Sequence, residues 1–511
     1  MSITMSWCEA CNAGSLEGDP EIAPCDSCGR NIHEHCLVDW DGETKWEEYD
    51  FPAIYCPFCT GKQRSSYDKG FEAGFQEACK ALIQPEGDSH SVSEISVSEF
   101  SQLHKLTHEI AKALACTKSW LCFDALKPLP HETWEDVFPV EASKAISAYQ
   151  GGLLSLSSLK ETGEKQISYL SACESSLNLS GLTSLPGSSA HFLGKHKGDL
   201  TLGLEDLSEE EAKELSCKKG ALILTGVKSV TPKVARFFEG FEGSLRIGLT
   251  QIQPEIASNL SKIKGEFLGL DRVEEVDTAS AHELSSFNGH LYLGLKKIDK
   301  DIAAELGHAH GGLTISSLEA LSKESASHLV KRSGSLELSG LTEISTDVAR
   351  ILAQNKGDVS LGGLGSISED AALEFSRHKH SLYLYGLTDL SDKSAEHLSA
   401  HRTLSTDSVL FLSLALPRES LFELLSYHEG TLMLGIGARP FSFRREDSRT
   451  IEPKEAEFLL KHKGKVIVRW VDALKSSVVQ ILKTCPSIEG IDYDSIHILK
   501  ETSKELKRRN A

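Results

Sequence analysis

A leucine–x–leucine pattern recurs along the middle of the chain at a spacing of 22 to 24 residues. Apolar residues at alternate positions are typical of a short strand with one buried face. Two further segments, Glu266-Phe267-Leu268 and Val359-Ser360-Leu361, fill slots of the same period less regularly. The first leucines of the regular pattern are Leu154, Leu177, Leu200, Leu222, Leu245, Leu291, Leu313, Leu336 and Leu382.

A second pattern of the same period indicates a helix after each strand. An alanine is followed three positions later by an apolar residue, from Ala190 and Leu193 to Ala395 and Leu398, and such a pair lies on one face of a helix. We expect helices of about three turns that stop at glycines such as Gly198. Capping residues stand four positions before most of these alanines, namely Ser208, Thr231, Asp277, Asp299, Ser322, Ser345, Ser368 and Ser391.

Each unit can bury its apolar side only by stacking on its neighbours, which predicts an α/β solenoid with parallel strands inside and helices outside. The pattern resembles that of leucine-rich-repeat proteins over residues 151–403. The resemblance implies an arc that binds a folded protein partner. Glycine or another small residue replaces the asparagine of the usual consensus, so no asparagine ladder is expected. The spacing breaks after residue 403, so residues 404–511 are predicted to form irregular repeats and a C-terminal cap, with strands at Leu410, Leu432 and Val466.

The middle residue of each leucine–x–leucine segment is expected to face outward on the concave side of the arc. Small residues dominate the neighbouring outward column, beginning with Ser180 and Gly203. Aromatic and arginine side chains are the usual anchors of protein interfaces. The candidate partner-binding residues of the repeats are therefore Arg246, Phe267, Tyr292, Tyr383 and Tyr385.

The cysteines cluster at the amino end of the chain. Seven of the 13 fall in the first 60 residues, in C-x2-C pairs and a His-x2-Cys step that are typical of metal ligands. Eight ligands are enough for two tetrahedral zinc ions, and thiolate-rich closed sites suit zinc. Because the segment is so polar, we expect the two ions to supply most of its folding energy. The predicted ligands are Cys8, Cys11, Cys25, Cys28, His33, Cys36, Cys56 and Cys59.

The ligand order, four cysteines, one histidine and three cysteines, resembles that of the PHD finger. This resemblance implies a cross-brace, with one zinc on Cys8, Cys11, His33 and Cys36 and the other on Cys25, Cys28, Cys56 and Cys59. The chain departs from the family pattern at Ile54, where an aromatic residue is usual. The last pair, Cys56-Pro57-Phe58-Cys59, looks more like that of a RING finger, and His35 is an alternative ligand to His33.

Charge narrows the classes of partner. The formal net charge of −20 argues against direct binding to nucleic acid or to an anionic membrane surface. Residues 1–60 hold 12 Asp and Glu against 2 Lys and Arg, which favours a basic peptide as the partner of the finger. Trp40 and Trp46 are candidate cage residues for a methylated lysine, although such aromatics more often pack a small core. No secretory signal or long apolar run is visible, so an intracellular, cytoplasmic location is expected, or a nuclear one if the finger reads chromatin.

No motif for catalysis was found: H-E-x-x-H, the P-loop and G-x-S-x-G are all missing from the sequence. The predicted organisation is a zinc finger over residues 1–61, a helical segment and N-terminal cap over 62–150, and the repeats that follow. The sequence favours a non-enzymatic protein–protein interaction protein with two bound zinc ions. The alternative is a ubiquitin ligase or adaptor, in which a RING-like finger recruits a conjugating enzyme and the repeats select the target. A third interpretation is that both parts are only structural.

Overall fold

A computed structural model of the chain describes residues 5–7, 14–16, 22–24, 31–33, 105–117, 120–123, 126–128, 132–388, 390–401, 409–414, 423–428, 430–436, 453–462, 465–469, 473–484, 488–489 and 497–499. The chain divides into two compact units. The first contains residues 1–158 and 165–175, and the second contains residues 159–164 and 176–511. Within the described ranges, no helix is long and apolar enough to cross a membrane.

The first unit has two antiparallel strand pairs near the amino end, β1 with β2 and β3 with β4, and one parallel pair, β5 with β6. Phe123, Phe138 and Tyr149 are fully buried and form its core with aliphatic side chains. Its strands are β1 Met5–Trp7, β2 Gly14–Leu16, β3 Ile22–Pro24, β4 Asn31–His33, β5 Leu121–Cys122 and β6 Leu153–Ser155. Its helices are α1 His108–Leu114, α2 Trp134–Val137, α3 Val140–Ile146 and α4 Glu164–Leu170.

The second unit alternates short strands with short helices. Its strands are β7 Ser176–Leu179, β8 Leu200–Leu202, β9 Leu222–Leu224, β10 Leu245–Ile247, β11 Phe267–Leu270, β12 His290–Leu293, β13 Leu313–Ile315, β14 Leu336–Glu337, β15 Val359–Ser360, β16 Leu382–Leu384, β17 Val409–Leu414, β18 Thr431–Ile436, β19 Val466–Arg469, β20 Ala473–Lys475, β21 Ile488–Glu489 and β22 His497–Leu499. Its helices are α5 Ser189–Leu193, α6 Glu209–Leu215, α7 Pro232–Arg236, α8 Pro254–Leu260, α9 Thr278–Ser285, α10 Lys300–Leu306, α11 Lys323–Leu329, α12 Thr346–Leu352, α13 Glu369–Phe375, α14 Asp392–Ser399, α15 Pro453–Lys461 and α16 Ser476–Lys483.

The strands from β7 to β19, followed by β21, form one parallel sheet in which each strand pairs with the next along the chain. Equivalent leucines lie side by side, as Leu200, Leu222 and Leu245 do, and these side chains are fully buried. The sheet continues beyond residue 403, because Leu410 pairs with Leu382 and with Leu432. The leucine–x–leucine prediction is therefore confirmed, as are the predicted strands at Leu410, Leu432 and Val466.

One slot of the predicted pattern is wrong. Leu245 pairs with Leu268, so the leucine–x–leucine segment of this repeat is Leu268-Gly269-Leu270, and the Glu266-Phe267-Leu268 assignment is shifted. The register places Phe267 beside His290 instead of beside Arg246. Leu268 lies 23 residues after Leu245 and 23 residues before Leu291, so the regular spacing fits Leu268-Gly269-Leu270 and the assignment began two residues too early.

The helices have the predicted buried face and the predicted caps. Ala212 and Leu215 are fully buried, and all eight capping residues accept a hydrogen bond from a backbone N–H of the first helical turn. Ser208 and Glu211 form a reciprocal capping box. Helices of 5–8 residues between residues 189 and 399 are about two turns long, shorter than the three turns expected.

The glycines after the helices do not have the expected role of helix stops. Each helix ends earlier in a right-handed residue, such as Ser216 after α6. The glycines lie where the loops of neighbouring repeats approach each other. A Cβ on Gly334 would fall against the backbone of Gly311, and one on Gly357 would fall 2.6 Å from the carbonyl oxygen of Gly334. Close loop packing, not helix termination, therefore requires glycine here.

Candidate functional site

The outward face of the second unit's sheet carries a cluster of polar and aromatic side chains. Arg246, Tyr292, Glu337 and Tyr383 belong to the row of strand-centre residues, and Gly269, Thr314 and Ser360 occupy the positions between them. We call this set the strand-face cluster, and it also includes neighbours in the two flanking rows. Its full membership is Arg246, Phe267, Asp271, His290, Tyr292, Thr314, Glu337, Ser339, Asp358, Ser360, Tyr383, Tyr385 and Phe411.

Arg246 is not a free anchor, because Asp271 neutralises its charge. Its Nε lies 2.6 Å from Asp271 Oδ2 and its Nη2 lies 3.0 Å from Asp271 Oδ1, so the two groups form a bidentate pair. Hydrogen bonding to Asp271 raises the pKa of Arg246. The guanidinium also lies 5.7 Å from the centroid of the Tyr292 ring. Gly269 leaves room for the arginine stem, since a Cβ there would be 2.7 Å from Arg246 Cγ.

Three aromatic rings meet beside this pair. The Tyr292 ring stacks on His290 at 4.5 Å and meets the edge of Phe267 at 6.0 Å between centroids. Phe267 and Tyr292 are half-buried, so each ring keeps part of its surface open to a partner. The structure thus brings three of the candidate residues together, Arg246, Phe267 and Tyr292.

A chain of hydrogen bonds leads from His290 to Glu337. Thr314 Oγ1 lies 3.1 Å from Glu337 Oε2, and a carboxylate accepts only, so the hydroxyl donates to it. His290 Nε2 lies 2.8 Å from Thr314 Oγ1 and must then carry the proton that it donates. Burial lowers the pKa of His290, which keeps the ring neutral near pH 7.

Glu337 is the centre of the second half of the cluster. Its Oε1 accepts hydrogen bonds from Ser339 Oγ at 2.7 Å and from Tyr385 OH at 3.0 Å. The ring of Tyr385 packs at 5.9 Å from Phe411, and Tyr383 meets Phe411 edge-on at 6.2 Å. Phe411 is only 8% exposed, so it fixes the positions of both tyrosines.

These side chains surround a cavity of about 300 Å³ that opens on the outward face of the sheet. His290, Glu337, Asp358, Ser360, Tyr383 and Tyr385 are among the residues that line it. Of the five candidates in the repeats, Tyr383 and Tyr385 therefore belong to the cavity wall. Sequence reasoning missed Glu337 and Asp358, whose proximity depends on the register between adjacent strands.

A second feature that the sequence did not predict is a row of buried residues on the inner side of the repeats, which we call the interior row. Each member follows by three positions a buried apolar residue at or just after the end of a helical segment, as His196 follows Leu193. Polar members donate to loop carbonyls of the preceding repeat: Lys218 Nζ donates to His196 O at 3.1 Å and Asn355 Nδ2 to Gly334 O at 3.2 Å. The row contains His196, Lys218, Phe241, Ile263, Phe287, Ala309, Arg332, Asn355, His378, His401, His428 and His462, all buried.

Burial lowers the pKa of Lys218 to about 8 and that of Arg332 to about 10. Arg332 donates to the carbonyl of Gly311 and is 2% exposed. The polar members of the row thus supply donors to buried loop carbonyls, whereas the apolar members, such as Phe241 and Ile263, only fill space.

Four histidines end the interior row and stack on one another, and we call them the histidine stack. Ring centroids are 6.1 Å apart between His378 and His401, 5.9 Å between His401 and His428, and 5.9 Å between His428 and His462. His401 Nε2 lies 3.1 Å from His380 O, and His462 Nε2 lies 2.9 Å from Gly430 O. Burial lowers the pKa of His401 to about 3, with smaller contributions from its two histidine neighbours.

The predicted zinc finger falls almost wholly outside the described residues. This applies to seven predicted ligands, Cys8, Cys11, Cys25, Cys28, Cys36, Cys56 and Cys59, and to Trp40 and Trp46. The eighth, His33, ends β4, whose backbone pairs with Ile22 in β3. Within the described ranges, no group of three or more His, Cys, Asp or Glu side chains is placed to hold a metal ion.

The parallel sheet and the solenoid-like α/β arrangement fit a leucine-rich-repeat fold. Comparison with known proteins found no matching family and no matching curated protein. Similar solved structures include a leucine-rich-repeat protein of Leptospira interrogans, which is 16% identical with a TM-score of 0.32 over 76% of this chain and 97% of that one. An internalin of Listeria monocytogenes is 16% identical with a TM-score of 0.28, over 71% of this chain and 92% of that one. A complex of TLR13 with ssRNA13 gives 14% identity and a TM-score of 0.32, over 72% of this chain and 59% of that one.

Proposed function

We propose that the chain is a non-enzymatic interaction protein whose repeats bind a folded protein through the outward strand face. The observation that carries this proposal is the strand-face cluster. It presents Phe267, Tyr292, Tyr383 and Tyr385 from a hydrogen-bonded sheet, with small residues between them. Half-buried aromatic side chains that are already fixed lose little entropy on binding, which is typical of interface anchors.

The amino end supplies a second module in this proposal. A PHD-like finger holds two zinc ions on the eight predicted ligands and binds a basic peptide or serves for docking. The ligand order and the excess of 12 acidic over 2 basic residues support this assignment. A thiolate-rich site also suits an intracellular compartment, where cysteines stay reduced. The alternative is a RING-like ligase adaptor, which the Cys56-Pro57-Phe58-Cys59 pair supports. Discharge of charged conjugating enzymes by the purified chain would favour that alternative.

The repeat proposal is tested by comparing captured proteins between two double variants of the full chain. Tyr292→Ala with Tyr383→Ala removes two aromatic anchors of the strand face. Lys233→Ala with Lys393→Ala is the matched control on the helices, where both lysines are exposed and form only long ion pairs of 3.9 and 3.5 Å. We expect quantitative mass spectrometry to find a specific partner that the strand-face variant loses at least about tenfold, as hot-spot truncations do. An equal loss in the helix variant, or no loss in the strand-face variant, would contradict the proposal.

A further inference from the structure

The cavity on the strand face has an unusual charge pattern. Glu337 and Asp358 line it from adjacent repeats, and in the described part of the chain neither carboxylate lies in an ion pair. Other acidic residues of the same unit do, as Asp271 with Arg246 and Glu374 with Arg350 show. His290 also lines the cavity, and it stays neutral near pH 7 because burial lowers its pKa. The described residues that line the cavity thus include two carboxylates and no lysine or arginine.

Both carboxylates keep capacity for further donors. Glu337 Oε2 accepts one hydrogen bond, from Thr314, and Asp358 Oδ1 accepts one, from Ser381 N at 3.0 Å. Each carboxylate oxygen can accept two hydrogen bonds. The cavity thus offers at least two acceptor positions from adjacent repeats, at a site that a donor-rich cation can reach from solvent.

The two tyrosines supply a complementary wall. Tyr385 is fixed by the hydrogen bond that its OH donates to Glu337, and Phe411 packs behind both tyrosine rings. A cation is attracted to the face of an aromatic ring, and an arginine guanidinium also stacks on it. Carboxylates and tyrosine rings together therefore favour a planar cation over a neutral group.

The same face already holds one guanidinium in such surroundings. Arg246 is bound by the Asp271 carboxylate and lies over the Tyr292 ring. The cavity repeats these two kinds of partner, carboxylate and tyrosine, but the described residues contribute no arginine to it. An anion would be repelled by Glu337 and Asp358, and a neutral sugar would leave their charges unbalanced.

We propose that this cavity receives an arginine side chain of the protein partner, with the guanidinium between Glu337 and Asp358 and against the tyrosine wall. The inference rests on the proposed function, because it names the chemistry of the partner that the strand face binds. A cavity of about 300 Å³ is wide enough for the guanidinium and part of its aliphatic stem. The chain's negative net charge also favours a basic partner.

The probes for the test are N-acetyl-arginine amide, N-acetyl-citrulline amide, N-acetyl-lysine amide and maltose, each titrated into the full chain and followed by ligand-observed NMR. Citrulline has the shape of arginine without its charge. We expect arginine to bind with a Kd on the order of 1 mM and citrulline to bind at least about tenfold more weakly. Equal binding of citrulline, equal or tighter binding of lysine, or binding of maltose without arginine would each overturn the proposal.

Two variants connect that binding to the cavity. Glu337→Gln keeps the shape of the side chain but removes its charge, and it should weaken arginine binding about tenfold. Glu343→Gln is the control, because it removes the charge of an exposed acid in the same repeat and should leave arginine binding unchanged. Ser360→Arg places a guanidinium in the cavity from within and should abolish binding of the free probe while the chain stays folded. Unchanged binding in Glu337→Gln would mean nonspecific attraction to an acidic protein. If the strand-face variant loses its partner but the wild-type chain does not bind the arginine probe, the arginine inference is refuted. The proposed function would then still stand.

Discussion

Lowering the pH from 7 to 4.5 is expected to destabilise the repeats around the histidine stack. The unfolded chain protonates His401 near its ordinary pKa of 6.5, whereas in the folded chain burial lowers that pKa to about 3. The folded state binds fewer protons in this interval, so stability is complete above pH 6.5 and is lost as the pH falls toward 3. The loss from His401 alone is about 3 kcal/mol at pH 4.5, since each pH unit contributes about 1.4 kcal/mol.

Two other histidines of the stack, His378 and His462, add to the loss of stability in acid. Burial also lowers the pKa of His378 and of His462. For His378, the hydrogen bond to the Ala353 carbonyl and the charge of Asp358 oppose this shift only in part. A protonated ring in this stack would face another imidazole at about 6 Å on each side, with backbone carbonyls as its other described partners. Acid should therefore open these repeats before the repeats with apolar interior residues, such as Phe241 and Ile263.

Hydrogen exchange of peptides that cover residues 378–401, measured from pH 7.5 to 4.5 and corrected for intrinsic exchange rates, checks this prediction. His401→Asn introduces asparagine, which already occupies an equivalent position of the interior row at Asn355. In this variant, the number of protons taken up when these repeats open should fall by about one, so their stability should depend less on pH. His282→Gln is the control, because His282 is exposed on a helix and pairs with Glu305 at 2.8 Å. Equal pH dependence of wild type and His401→Asn would show that the stack does not control acid stability.

Removing zinc is expected to unfold the amino-terminal segment and to leave the repeats folded. The purified chain should carry two zinc ions, and structural zinc sites bind with about 10–16 kcal/mol of apparent free energy that is also folding free energy. A segment as short as residues 1–60 buries only a small core, so we expect it not to fold without the metal. Elemental analysis gives the zinc content, and limited proteolysis with and without a chelator shows which residues lose protection.

Cysteine variants make the zinc prediction specific. Cys25→Ser with Cys28→Ser should lower the zinc content to about one ion or less per chain, because these two residues supply half of one predicted site. Cys217→Ser should retain both ions, since Cys217 is an exposed free thiol in the repeats. A wild-type chain with less than one zinc, or a proteolysis pattern that the chelator leaves unchanged, would refute the finger.

Much of the repeat fold was predictable because it depends on local periodicity. The buried leucines, the inward alanines and the helix caps each follow from a residue type at a fixed spacing, and packing leaves little freedom at such positions. Ser208 with Glu211 is an example in which four residues of sequence determine the hydrogen bonds of a helix start.

What failed depends on contacts between repeats. Phe267 was placed in the wrong row because the assignment of this repeat began two residues before Leu268, which the strand register pairs with Leu245. Arg246 stays a predicted anchor, and its ion pair with Asp271, 25 residues later, becomes visible only when the strands are aligned. The interior row had a sequence signal, a buried position three residues after each inward leucine, although its chemistry changes from Lys218 through Phe241 to His401. The glycines were misassigned because loop-to-loop distances are not encoded locally.

The central claim is that parallel strands in this register assemble the strand-face cluster, and disulfide mapping tests it most directly. Thr201 and Ile223 are register partners on adjacent strands, outside the cluster. Oxidation of Thr201→Cys with Ile223→Cys should form a disulfide that peptide mass spectrometry identifies, because partners on neighbouring strands lie within disulfide reach. Thr201→Cys with Thr225→Cys, displaced by two residues on the same face, should not. A disulfide in the displaced pair, or none in the register pair, would contradict the account.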